Sequence, residues 1–227
     1  MSNQINQISV LVIVPAYNAA RHISELVSRL RTYVCDANLL IINDGSGDDT
    51  LDIIRQEKVN YISFPENRGK GAALKAGFEY AIENNYRSVL TIDADLQHLP
   101  EEVPQFLAAD NGHHVVIGTR KMDLKVMPWP RWLTNNLSSL IISVFSQSRV
   151  RDSQSGFRLI PTEVLKAIHL KTVGYDFESE MLFKAGALGC GISEVPISTI
   201  YEESTSYINP LQDSLRFLRQ IWKRLWN

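Results

Sequence analysis

A chain of 227 residues, 44% apolar and 21% charged, has the length of one large α/β domain and the composition of an ordinary globular protein, which excludes wholesale disorder, collagen and coiled coil. A net charge of −2 gives no global attraction to nucleic acid, so no nucleic-acid partner is expected. Two cysteines, Cys35 and Cys190, are too few for a disulfide scaffold. Residues 1–7 lack a secretory signal and no apolar stretch approaches the ~20 residues of a membrane span, so a cytoplasmic protein with at most peripheral membrane contact is expected.

In chain order, residues 8–14 read as a buried parallel strand, 19–32 carry Ile23, Leu26, Val27 and Leu30 at helical spacing, and 39–42 form a second strand. A helix over 50–56, a strand over 59–64, a helix over 71–83 and a strand over 88–92 follow. This alternation predicts an α/β fold, a mostly parallel sheet with helices on both faces and ligands outside the carboxyl ends of its strands. Further on, a strand is expected at 115–118, helices at 132–147, 161–168 and 177–188, a strand at 191–198 and a turn-rich segment at 152–158. Residues 1–209 then make one catalytic-sized domain. Residues 210–227 make a C-terminal amphipathic helix whose apolar stripe, with Trp222 and Trp226, runs beside Arg216, Arg219, Lys223 and Arg224 and suits an anionic lipid surface.

Each of the first four strand ends carries a polar turn. Asp93-Ala94-Asp95 after the fourth strand is the sharpest signal, because two carboxylates one residue apart can both turn toward a hard cation such as Mg²⁺ or Mn²⁺ that also takes a diphosphate. Asp44-Gly45-Ser46 offers a carboxylate beside a flexible turn. Gly45-Ser46-Gly47 is not a dinucleotide fingerprint, since Thr50 stands where a third glycine belongs, and Asn67-Arg68-Gly69-Lys70-Gly71 lacks the spacing of a nucleotide phosphate loop.

Four motifs in chain order, Val14-Pro15-Ala16-Tyr17-Asn18, Asn43-Asp44-Gly45-Ser46, Asn67-Arg68-Gly69-Lys70-Gly71 and Asp93-Ala94-Asp95-Leu96-Gln97-His98, together resemble family 2 inverting glycosyltransferases of the GT-A fold. Downstream, Arg151-Asp152-Ser153-Gln154-Ser155-Gly156-Phe157-Arg158 and Gly174-Tyr175-Asp176-Phe177-Glu178-Ser179-Glu180 look like the dolichyl- or polyprenyl-phosphate mannose or glucose synthase branch. The resemblance implies a nucleotide and donor site formed by Pro15, Ala16, Tyr17, Asn18, Asp44, Lys70, Asp93, Ala94 and Asp95, with Mg²⁺ or Mn²⁺ on Asp95 and Gln97. It implies catalytic roles for Asp93, Asp95, Asp152 and Glu180, and an acceptor side formed by Arg120, Arg131, Ser155 and Arg158. The implied partners are a nucleotide-diphosphate sugar and a lipid-phosphate or saccharide acceptor. Segment 119–151 has six basic residues against one acid, Asp123, which suits a phosphate. A hydroxyl acceptor would instead need a general base, for which Asp152, Asp176, Glu178 and Glu180 are candidates. One departure from the branch is the loop 201–207, which has acids and hydroxyls where an Arg or Lys is usual.

Overall fold

The computed structural model describes residues 10–120, 148–170 and 177–198, together with 136, 139, 140, 142–144 and 146. Its strands are β1 Val10–Ala16, β2 Leu39–Asp44, β3 Asn60–Phe64, β4 Ser88–Thr91, β5 Val115–Arg120, β6 Arg158–Pro161 and β7 Ile192–Ile197. Its α-helices are α1 Ile23–Leu30, α2 Thr50–Glu57, α3 Lys70–Glu83, α4 Val103–Ala109, α5 Thr162–Ala167 and α6 Phe177–Ala187. The described positions within 136–146 are also helical, as expected for that stretch.

The strands form one sheet in the order β3-β2-β1-β4-β6-β5-β7. All run parallel except β6, which is antiparallel to both β4 and β5. Along β1 the side chains alternate between two cores, as a period of two demands. Val10, Val12, Val14 and Ala16 pack with Ile23, Leu26, Val27 and Leu30 of α1, Ile54 of α2 and Phe106 of α4. Leu11 and Ile13 face Ala73, Leu74 and Phe78 of α3, Leu165 of α5 and Met181 of α6. The four apolar side chains of α1 are fully buried, each worth about 2 kcal/mol by area. The expected mostly parallel sheet with helices on both faces is therefore present.

Two elements were not anticipated. Helix α4 is only seven residues with a proline in its first turn, entered through a 3-10 turn at Pro100–Glu102. Strand β6 has four residues, beginning at an arginine and ending at a proline, and owes its form to pairing on both sides. Because β6 runs against its neighbours, its first residue lies where they end: Arg158 pairs with Thr91 of β4 and with Ile117 of β5. The turn 152–157 is thereby delivered to the carboxyl edge of the sheet. The expected helix over 210–227 lies outside the described residues.

Candidate active site

The loops after β1 and β2 are tied together by side chains. The Gly47 amide donates to Asn18 Oδ1 at 2.9 Å, Ser46 Oγ accepts the Asn18 amide at 3.0 Å, and Thr50 Oγ1 accepts the Ala19 amide at 2.7 Å. Pro15 and Ala16 are the last residues of β1, and Tyr17 stands half exposed just beyond them. Asp44 is buried, and its two carboxylate oxygens accept the amides of Arg68 at 2.8 Å and Gly69 at 2.9 Å. Gly45 beside it has φ +64°, and a Cβ there would sit 2.2 Å from the Glu66 carbonyl carbon. Asp44 was expected to hold nucleotide. In the structure its carboxylate also holds loop 66–69 against the end of β2, each oxygen accepting one backbone amide.

The same loop aims Lys70 at the Asp-x-Asp turn. Lys70 Nζ lies 2.6 Å from Asp93 Oδ1 and 2.8 Å from Glu178 Oε1 on α6. Burial opposes both charges, yet each wins through the other: Lys70 is held well above the usual ammonium range by Asp93 and Glu178, and Asp93 is held below the usual carboxylate range by Lys70. On its other side Asp93 packs on Gly156, where a Cβ would fall 2.6 Å from Oδ2, and the Gly156 carbonyl accepts the Thr91 hydroxyl at 2.7 Å. Ala94 is buried in the core. Asp95 is exposed, and its Oδ1 accepts the Gln97 amide at 3.1 Å. Desolvation at the strand end and the Asp93 charge push the Asp95 carboxyl up. Two crowded oxygen donors, one of them open to solvent, fit a hard divalent cation, whose charge would relieve their repulsion.

Behind this turn stands a layer of buried charge. Arg158 is 1% exposed and donates to three carbonyls, from Nε to Ser155 at 2.6 Å, from Nη1 to Glu178 at 2.6 Å and from Nη2 to Ser153 at 2.7 Å. Ser155 is also fully buried. Both are expected on the acceptor side; in the structure the Arg158 guanidinium, donating to three carbonyls, braces the 152–158 turn. Arg120 forks onto the buried Asp152, from Nε to Oδ2 at 2.6 Å and from Nη2 to Oδ1 at 2.8 Å. Arg131 lies outside the described residues. Glu180 pairs with Lys184 one turn along α6, so it is Glu178 that joins Lys70 and Asp93. The signal for this was in the sequence. On a helical wheel Glu178 falls among Phe177, Met181, Leu182 and Ala185, whereas Glu180 falls beside Lys184.

A parallel sheet in this order, with an acidic turn ending β4 and a reversed strand feeding a loop onto it, defines a GT-A fold, the architecture of nucleotide-sugar glycosyltransferases. Residues 11–168 match Glycosyl transferase family 2; the chain belongs to that family and is a glycosyltransferase. It is 31% identical to the undecaprenyl-phosphate mannosyltransferase of Micrococcus luteus, over 86% of this chain and 84% of that protein. It is also 31% identical to the UDP-N-acetylglucosamine–dolichyl-phosphate N-acetylglucosaminyltransferase of Methanococcus voltae, over 86% of each. Glucosyl-3-phosphoglycerate synthase from Mycobacterium tuberculosis, crystallised with Mn²⁺, UDP and glucosyl-3-phosphoglycerate, shares the fold with a TM-score of 0.73 at 18% identity, over 95% of this chain and 79% of that one.

Proposed function

We propose that the protein moves a sugar, with inversion, from a nucleotide-diphosphate sugar to a polyprenyl phosphate, assisted by Mg²⁺ or Mn²⁺. The two relatives of similar sequence named above are named for transfer to a lipid phosphate, and one observation here favours the same acceptor. Three of the four acids considered as bases already hold a cation: Asp152 holds Arg120, Glu178 holds Lys70 and Glu180 holds Lys184. Asp176 lies outside the described residues. A carboxylate engaged in this way is a poor base for a sugar hydroxyl, whereas a phosphate monoester with a second pKa near ~6 arrives ionised and needs none.

In this reading Pro15, Ala16, Tyr17, Asn18 and Asp44 line the nucleotide, Asp44 also fixing the neighbouring loop. Asp93 faces the donor, held in orientation by Lys70 and by contact with Gly156. Asp95, with Gln97, would hold the cation, which when bound neutralises charge growing on the departing diphosphate. Arg120 and Arg131 are the basic side chains proposed toward the acceptor phosphate. Such an acceptor must be met at a membrane surface, and the basic apolar helix over 210–227 is the proposed contact; among the described residues no helix is long and apolar enough to cross a membrane.

The test is transfer from labelled nucleotide sugars to purified polyprenyl phosphate in detergent with Mn²⁺. A lipid-linked sugar of inverted anomeric configuration is expected, and Asp95→Asn should lower the rate by about 10²- to 10³-fold, the scale for losing a group that stabilises developing charge. Transfer to free saccharides but never to the lipid phosphate would assign the hydroxyl-acceptor reading instead.

A further inference from the structure

Lys70 is the first residue of α3, and its side chain is three-quarters buried between two acids from other elements, Asp93 after β4 and Glu178 on α6. Glu178 is itself 10% exposed, so solvent screens neither pair strongly. Among the described groups that act on one another here, Asp93, Asp95, Asp152 and Glu178 stand against Lys70, Arg120 and Arg158, a net charge of −1. A hard divalent cation is retained by concentrated anionic oxygen. One of the two adjacent carboxylates that can offer it already belongs to Lys70.

We propose that Lys70 is the resident counter-ion of Asp93, whose charge opposes a divalent cation brought to the adjacent Asp95, and that Glu178 is the positioning residue that draws the ammonium aside. The inference rests on the metal-dependent reading above and deepens it: the site resists a bare cation and accepts one when a diphosphate brings additional negative charge. Removing Lys70 and removing its partner Glu178 then have opposite effects. Lys70→Met releases Asp93 and leaves the cluster at −2, whereas Glu178→Gln commits the ammonium wholly to Asp93 and leaves the cluster neutral.

Mn²⁺ binding to the full chain, followed by the electron paramagnetic resonance signal of free Mn²⁺, reads this without turnover. Compared with the unaltered protein, Lys70→Met should bind Mn²⁺ about tenfold more tightly and Glu178→Gln about threefold more weakly, the scale expected for one charge a few ångströms away in a partly screened site. Lys70→Arg should follow the unaltered protein. Equal Mn²⁺ affinity in the unaltered protein and Lys70→Met, both with and without uridine or guanosine diphosphate, overturns the counter-ion assignment and leaves the metal reading standing. Mn²⁺ bound by no form, even with a nucleoside diphosphate present, overturns both. Should Lys70→Met not fold, Glu178→Gln decides alone: unchanged or tighter Mn²⁺ binding in that variant overturns the assignment.

Discussion

The two halves of the sheet hold their loops at the site with buried charges of opposite sign. On the β3-β2-β1 side an anion, Asp44, collects two backbone N–H groups from the loop that precedes α3. On the β6-β5-β7 side a cation, Arg158, collects three backbone carbonyls from the turn before β6 and from α6. Irregular backbone brought to the edge of a sheet carries polar groups with no ladder to join, and leaving one buried and unpaired costs ~1–3 kcal/mol. A single charged side chain of the right polarity answers several at once. Its own burial has a cost: desolvation pushes the Arg158 guanidinium down to about 10, against the pull of Glu178 and Asp152.

The comparison predicts unequal damage when each brace is removed. Arg158→Met keeps the length of the side chain and strands three buried carbonyls, so a loss of about 4 kcal/mol is expected after the recovered desolvation is counted. Asp44→Asn keeps the shape, strands one amide and weakens the other, and should lose about 3 kcal/mol. Urea unfolding of both variants measures the order. An Asp44→Asn loss equal to or larger than that of Arg158→Met would break the idea that damage scales with the number of backbone groups each charge satisfies.

The same division marks what the sequence reveals. Strands β1, β2 and β4 are apolar, parallel and buried, and each ends in a distinctive turn, so order and site motifs alike follow from local pattern. Strand β6 has no such pattern: four residues between a polar turn and a proline become a strand only because β4 and β5 pair with it, a long-range cause. Arg158 is placed on the acceptor side by the family resemblance, and its burial, which no local pattern shows, follows from being the first residue of that unforeseen strand. Asp44 reads as a ligand-facing carboxylate, and nothing local shows that loop 66–69 also returns to lie on it. The pairing of Lys70 with Asp93 joins two recognised motifs, but Glu178 enters only once α6 is docked with its apolar face inward.

Gly156 tests whether the second half acts on the first through contact alone. Its Cα passes so near Asp93 that a methyl group would meet Oδ2 at 2.6 Å, and that carboxylate is not free to swing, being tied to Lys70. Gly156→Ala should therefore shift Asp93 by a few tenths of an ångström to an ångström and lower turnover about 10- to 100-fold, while stability changes by no more than about 1 kcal/mol. A loss confined to stability, with turnover per folded molecule unchanged, would separate Asp93 from the reaction.

His98 carries the smallest effect and joins both halves, since it follows the Asp-x-Asp turn after β4 and lies tilted against Phe157 of the β6 turn, ring centroids 5.6 Å apart. It is 4% exposed, and its Nδ1 has no hydrogen-bond partner among the described residues. Burial lowers its pKa to about 4; Asp93 and Asp152 pull it upward, Arg120 and Lys70 downward. A folded-state value below the unfolded ~6.5 means that the unfolded chain takes up the proton first as pH falls. The stability this neutral ring contributes is therefore complete above about pH 6.5 and is lost progressively as pH falls toward 4. Between pH 7.5 and 5 the loss should be about 2 kcal/mol. Urea midpoints across that range, taken in the presence of a chelator, should fall more steeply for the unaltered protein than for His98→Leu, which has no proton to accept. Parallel slopes in the two proteins would show that His98 titrates alike folded and unfolded, and that the seam between the halves admits its charge.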